Sequence, residues 1–298
     1  MPRSRTSRSA PYGRAGSKVR LAPWITWIAS SIDHTKWGEL FAGSCAVTLH
    51  KDAVSWEFLC DLDKWISNFL AVLRNRRQKA ELLRRLRYTA WEKTDFDQCS
   101  EIIKGKLSTP DDPVECARVF LVNNAQSYNK SGRTHSRCDT SSGISKWKQI
   151  HEYIDSMARR IADCHVIGDD YAKTLQFPQV NDPKTLIYAD PPYLNVEKMY
   201  YAENKQTGFD HHAFRKSLDD CQASIIVSYE DCPPIRELYL RKDGWQIEER
   251  VVTRSLGNNA KSAKELLLIR PSEWAAQQSK RVRYYIPDIF SDETETSS

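Results

Sequence analysis

The sequence contains no run of about 18 apolar residues, so no segment reads as a membrane-crossing helix. Its first residues, MPRSRTSRSAPYGR, are basic but lack the apolar stretch that a secretory leader carries behind its charges. Eight cysteines, at 45, 60, 99, 116, 138, 164, 221 and 232, never fall in C-x-x-C spacing. That absence argues against a zinc ribbon or a thiol redox motif. Eight is also too sparse to staple a chain of 298 residues, so reduced thiols and a cytoplasmic location are expected. No phosphate-cradling P-loop, kinase motif set, G-x-S-x-G elbow or internal repeat is present. His211-His212 has no Cys or carboxylate partners at ligand spacing, so no metal site is expected and the pair reads as a helix start.

Acidic residues are missing from residues 1–20, which hold Arg3, Arg5, Arg8, Arg14, Lys18 and Arg20. Residues 74–160 hold 18 basic and 11 acidic side chains. These two stretches carry +6 and +7, so the remainder must carry −8 in a chain whose total is +5. The modest total therefore hides a polarised molecule. Such polarity suits an anionic partner at one surface. With 40% hydrophobic residues, the chain is long enough for one large domain or two modest ones.

Residues 1–11, rich in Arg, Ser and Pro, lack periodicity and are expected to be a disordered basic arm. Helical spacing of apolar residues marks 20–32, 63–75, 77–91, 114–128 and 148–162. GELFAGSCAVTLH (38–50) reads as a strand that ends in small residues and resumes as a helix. Short apolar runs at 56–62, 164–170, 185–193, 223–229 and 265–270 read as buried strands. Their alternation with helices predicts an α/β fold with a mostly parallel sheet. Residues 94–113 are polar and end in the loop signal TPDDP. Residues 129–146 have no periodicity and read as a surface loop or hairpin. Residues 272–298 drift to polar and acidic and are expected to fray.

The most informative tetrapeptide is Asp190-Pro191-Pro192-Tyr193, directly after the apolar run TLIYA. Two prolines cannot continue a central strand, so the chain leaves the sheet there. Ligands of open α/β sheets sit at the carboxyl ends of strands, which places Asp190 at a crevice. An acid, a rigid turn and an aromatic ring together suit a planar amino-heterocycle. The exocyclic amine of such a ring is a poor nucleophile, because its lone pair is delocalised. Two acceptors, the Asp190 carboxylate and the Pro191 carbonyl, would draw it toward tetrahedral geometry while Tyr193 stacks on the ring. The prolines, Pro192 included, fix these positions in advance.

With these residues in view, the chain resembles the Dam-type adenine-specific DNA methyltransferases, which carry the D-P-P-Y signature and use S-adenosylmethionine. The resemblance runs from about residue 12 to 271 and is weakest in 76–113. Ala15-Gly16-Ser17-Lys18 stands where the family has A-G-G-K, a cofactor-side loop, and Arg14 adjoins it. Glu39-Leu40-Phe41-Ala42-Gly43-Ser44-Cys45 stands where the family has E-P-F-x-G-x-G, with Leu40 for the proline and Cys45 for the last glycine. Asp61 falls where the family's acid holds the ribose. Asp169, Asp170 and Tyr171 match the segment that flanks the cofactor's adenine, although adjacent acids there equally suit a helix cap. The cofactor set implied is Arg14, Lys18, Phe41, Gly43, Asp61, Asp169, Asp170, Tyr171 and Asp190. Phe209-Asp210-His211-His212, the strand IIVSYED and the closing hairpin that contains Glu265 complete the match.

The fold implied is Rossmann-like: a mostly parallel central sheet interrupted by a mainly helical DNA target-recognition insert. The discontinuous catalytic domain takes 12–73 and 161–271, the insert 74–160, and a polar tail 272–298. Within 74–87 seven cations, Arg84 and Arg85 among them, face one acid, Glu81, a bias that suits phosphate. Residues 124–133 resemble the family's recognition hairpin, where Y-N-G-x-x-R occurs. The resemblance implies that Tyr128 wedges between bases, Asn129 and Lys130 contact DNA, and Arg133 reads a guanine edge, with Arg137 adding a phosphate contact. The glycine that follows Tyr-Asn in the family is Lys130 here, and a glycine appears at 132 instead. The expected enzyme moves a methyl group from S-adenosylmethionine to adenine N6 in double-stranded DNA. It would act as a monomer or as two copies on one site, in a bacterial or phage-infected cell. Two rivals stay open: a DNA-binding relative without catalysis, motivated by Cys45 and Leu40, and a different amine acceptor such as cytosine N4 or RNA.

Overall fold

A computed structural model describes residues 10–13, 16–128, 132–136, 147–194, 208–240, 244–256 and 259–279. Arg14, Asn129, Lys130 and Arg137 lie outside the described residues. In chain order the elements are α1 (Ala22–Ser30), β1 (Lys36–Leu40), α2 (Ala46–His50), β2 (Trp56–Cys60), α3 (Lys64–Arg74), α4 (Arg76–Arg87), α5 (Lys93–Ile103) and α6 (Pro113–Ala125). Then follow α7 (Ile150–Arg160), β3 (His165–Ile167), α8 (Tyr171–Thr174), β4 (Thr185–Ala189), α9 (His211–Asp219), β5 (Ser224–Glu230), α10 (Pro233–Leu238), β6 (Gln246–Leu256), β7 (Asn259–Arg270) and α11 (Glu273–Ser279). A short 3-10 turn, Lys18–Arg20, precedes α1.

The seven strands form one sheet in the order β3-β2-β1-β4-β5-β7-β6. The first five are parallel, and β7 and β6 close the edge as an antiparallel hairpin. The chain runs outward from β1 through β2 to β3, then returns to the other side of β1 with β4. That reversal creates a crevice at the carboxyl ends of β1 and β4. The register fixes what meets there. Leu40 pairs with Cys60 on one side and Ala189 on the other, so Phe41, Asp61 and Asp190 leave the sheet at one level. Gly38 permits this close strand packing: a Cβ there would lie 1.9 Å from the Phe58 ring.

Caps follow from the sequence. Asp63 accepts the Trp65 N–H at the start of α3, and Asp112 accepts that of Val114 at the start of α6. Asn75 ends α3 and caps α4 through the Arg77 and Gln78 N–H groups, which explains why two helices meet with one residue between them.

The helices at 74–160 share a core with the sheet, and α5 and α6 add a small cluster of their own from Cys99, Ile102, Val119 and Val122. Leu82 and Leu86 of α4, Phe120 and Leu121 of α6 and Ile154 of α7 pack with Phe69, Leu70, Leu59 and Cys45 in one continuous cluster. On the same face of the sheet, α1 packs Trp24, Ile25 and Ile28 against Tyr188, Ile226 and Leu267, while α9 covers the opposite face with Phe214 and Leu218 against Ile187, Ile225 and Leu268.

Three regions differ from the sequence expectation. Residues 93–103, taken as polar loop, form α5, which buries Phe96, Cys99 and Ile102. Pro11, the last residue of the expected disordered arm, is buried next to Tyr12. Residues 273–279, expected to fray, form α11, whose Ala275 is fully buried. Among the described residues no helix is long and apolar enough to cross a membrane.

Candidate active site

The loop that leaves β1 turns through three left-handed residues, Phe41 (φ 60°), Gly43 (φ 49°) and Cys45 (φ 53°). Cys45 therefore keeps the backbone path that a glycine would take, at the energetic cost of a Cβ in that conformation. Its side chain is fully buried, and burial pushes the thiol well above the ordinary range, which leaves it unreactive. The loop is held on both sides. Asp61 Oδ2 accepts the Gly43 N–H at 2.8 Å, and the Tyr12 hydroxyl donates to the Gly43 carbonyl at 2.6 Å. Ser44 Oγ lies 2.8 Å from Ser17 Oγ. Asp61 also accepts the Asp63 N–H through Oδ1 at 2.9 Å.

Beside this loop four rings meet. Tyr171 packs edge-on against Phe214 at 4.9 Å between centroids, and Phe41 lies 5.5–5.7 Å from Tyr171, Phe209 and Phe214. Phe214 was not singled out in the sequence. Its signal is its place one turn into α9, four residues after the capping Asp210, where a buried side chain faces the sheet. Asp170 caps α8 by accepting the Ala172 N–H. Asp169 is half-buried; the Asp170 N–H and Lys173 hold its carboxyl below the usual range.

At the end of β4, Asp190 meets Lys18. The ammonium lies 2.7 and 2.8 Å from the two carboxylate oxygens and donates to the Gly16 carbonyl at 3.0 Å. It also sits 4.8 Å from the centre of the Tyr193 ring and 3.7 Å from Glu265. The Tyr193 hydroxyl donates to Glu265 Oε1. Burial, reinforced by the Asp190 and Glu265 carboxylates, pushes that hydroxyl well above the ordinary tyrosine range and keeps it protonated. Lys18 and Asp190 are 172 residues apart, so the proximity is purely tertiary.

Glu39, beneath the loop on β1, is 3% exposed and accepts the Thr48 N–H. Burial raises its carboxyl from an ordinary 4.5 to about 7; hydrogen bonds from Thr48 oppose the rise and Asp190 adds to it. The folded value exceeds the unfolded one. The associated stability is thus complete below pH 4.5 and is lost as pH rises through about 7. Glu39→Gln cannot ionise. It should flatten the pH dependence and gain on the order of 3 kcal/mol relative to wild type on going from acid to alkaline buffer. Urea midpoints at both ends of that window check this, and parallel curves for the two proteins would refute it.

The basic segment is partly self-neutralised. Arg84 holds Glu81 through two bonds of 2.7 Å. Arg85 reaches Glu81, Asp112 and Glu115 at 2.9, 2.6 and 3.1 Å. Arg84 first, then Arg85, lowers the Glu81 carboxyl to about 2. Arg76, Arg77 and Arg87 stand exposed on the same helix.

On either side of residues 129–131 the described backbone pairs antiparallel, Ser127 against His135. The Tyr128 N–H donates to the Thr134 carbonyl at 2.7 Å, and the Ser136 N–H to that of Gln126 at 2.8 Å. Tyr128 is 62% exposed, and Arg133 is exposed beside it. Gly132 has φ +69°, and a Cβ there would meet Asn123 Oδ1 at 2.6 Å, which accounts for a glycine at 132. Asn124, one helix turn earlier, makes a two-way pair with Gly13: it accepts the Gly13 N–H at 2.9 Å and donates to the Gly13 carbonyl at 2.7 Å. Residues 12–18 therefore touch the hairpin-bearing helix, the glycine loop and Asp190.

Residues 15–255 match the family described as D12 class N6 adenine-specific DNA methyltransferase. Among solved structures, the chain is similar to a Pyrococcus horikoshii protein described as a "putative RNA methyltransferase". The two share 9% identity over 91% of this chain and 90% of that one, with a TM-score of 0.38. No curated protein matches the chain.

Proposed function

Because this chain belongs to the D12 class N6 adenine-specific DNA methyltransferase family, we propose that it methylates N6 of an adenine in double-stranded DNA, with S-adenosylmethionine as donor. The observation that carries the proposal is the shared level of Phe41, Asp61 and Asp190 at the crevice between β1 and β4. The donor set fits the cofactor. Gly43 leaves the loop open, since a Cβ there would have only the Phe41 carbonyl nearby, at 3.7 Å. Asp61, where the chain leaves β2 beside the glycine loop, would accept the ribose hydroxyls. Phe41 and Tyr171 offer ring faces for a purine, while Arg14, Lys18, Asp169 and Asp170 complete the proposed set. The bound cofactor supplies a methyl group on a positively charged sulfur.

The chain's own residues do the rest. Asp190 accepts one N6 hydrogen and the Pro191 carbonyl the other, which localises the nitrogen lone pair. With the cofactor bound, the freed pair would accept the methyl group, and the cofactor would leave as the neutral thioether. The extra proton leaves N6 to solvent by way of Asp190. Tyr193 stacks on the base. A paired adenine cannot reach this pocket, so it must swing out of the duplex. Tyr128, Asn129, Lys130 and Arg133 are proposed to engage the DNA beside it, with Arg84, Arg85 and Arg137 toward the backbone. Arg76, Arg77 and Arg87 widen the basic face, and Arg84 and Arg85 must share their donors with Glu81. Monomeric action is proposed.

Tritiated S-adenosylmethionine should label unmethylated duplex DNA, and digestion with mass spectrometry should identify N6-methyladenine. Label in cytosine, or in RNA alone, would overturn the assignment.

A further inference from the structure

Both oxygens of Asp190 are engaged by the Lys18 ammonium, at 2.7 and 2.8 Å. An incoming amine competes with the ammonium for this carboxylate, and any shift of Lys18 away from it frees Asp190 as an acceptor. We propose that Glu265 is a positioning residue: it receives the Lys18 ammonium when Asp190 turns to the target amine. This rests on the methyltransferase reading above.

Glu265 lies on β7, paired with Glu230 of β5 and Arg250 of β6, and is 1% exposed. It is followed by Leu266, Leu267 and Leu268, all fully buried. A carboxylate at so dry a position is costly unless a charge and hydrogen bonds hold it. Here Tyr193 donates to it and Lys18 stands 3.7 Å away. Lys18 remains tethered by the Gly16 carbonyl at 3.0 Å and by the Tyr193 ring. A shift of about 1 Å would bring its ammonium to hydrogen-bond distance from Glu265 without breaking either tether.

Charge supports the same role. Lys18 alone would neutralise Asp190 and weaken it as an acceptor. Lys18 with both Asp190 and Glu265 leaves one net negative charge, which complements the positive charge that N6 acquires on methylation. Tyr193 joins the two halves, stacking by its ring and fixing Glu265 by its hydroxyl.

The test compares full-length wild type with E265Q and E265D in tritium transfer to unmethylated duplex DNA. E265Q keeps the acceptor for Tyr193 but loses the charge; E265D keeps the charge on a shorter arm. We expect kcat to fall about 10- to 100-fold in E265Q, with KM for S-adenosylmethionine unchanged and a smaller loss in E265D. Thermal melting of all three proteins controls for folding. E265Q equal to wild type, or E265D worse than E265Q, would overturn the proposal, because packing or hydrogen bonding would then explain the residue. A wild type that labels no DNA would instead sink the underlying methyltransferase reading.

Discussion

Asp190→Ala should lower methyl transfer by at least about 10³-fold, a loss of about 4 kcal/mol of transition-state stabilisation. Duplex DNA should still bind, because the proposed DNA contacts lie on the hairpin and α4. The size follows from chemistry. N6 of adenine is nearly non-basic, and its lone pair becomes available only when both hydrogens find acceptors. Asp190 supplies the ionic one, held at the end of a fully buried strand by a Pro-Pro turn. Asp190→Asn retains an acceptor oxygen without the charge and should fall between wild type and Ala. Tritium transfer and an electrophoretic shift on the same DNA separate the two effects. Undiminished transfer by the Ala variant would sink the mechanism.

The second large effect concerns stability. Arg160, the last residue of α7, returns the inserted helices to the sheet through Glu57 on β2. Its guanidinium lies 2.5 and 3.0 Å from the two carboxylate oxygens and donates to the Lys51 carbonyl at 3.0 Å. The Cys164 thiol adds a bond to Glu57 at 3.4 Å. Both charges are nearly excluded from water, at 9% and 6% exposure. Arg160→Ala would strand a buried carboxylate and should cost about 3–5 kcal/mol. Removing Glu57 as well abolishes the orphan, so the double Ala variant should cost less than the two single changes together. Denaturant unfolding measures all three. Strict additivity would show that the pair does not act as a unit.

Most of the sheet was legible because β2, β4 and β5 are buried on both faces and read as short apolar runs, and β1 because it ends in the small residues of the glycine loop. The D-P-P-Y turn was legible because two prolines after such a run leave the chain few paths. Helix α5 was missed: only Phe96, Cys99 and Ile102 mark its inner face, and charged residues surround them. Strand β6 was not read by itself, because as an edge strand it exposes polar and charged side chains such as Gln246 and Glu249. The basic bias of α4 was visible, whereas the acids that answer it come partly from α6, through Asp112 and Glu115. Burial of Tyr12 and the meeting of Lys18 with Asp190 depend on contacts across most of the chain. No local pattern encodes them.

The amide pair between Asn124 and Gly13 bears on how such enzymes exchange specificity. A segment spanning 74–160 looks like a cassette, transplantable between relatives to change the DNA sequence read. Yet its helix α6 holds Gly13 through Asn124, 111 residues away in sequence, and the neighbouring Tyr12 and Lys18 hold the glycine loop and Asp190. A chimaera built from the cassette alone would inherit a foreign clasp for its own Gly13. Under the proposed function, the unit that sets specificity would be two pieces of sequence, and a swap that carries residues 10–18 with the cassette should outperform one that does not.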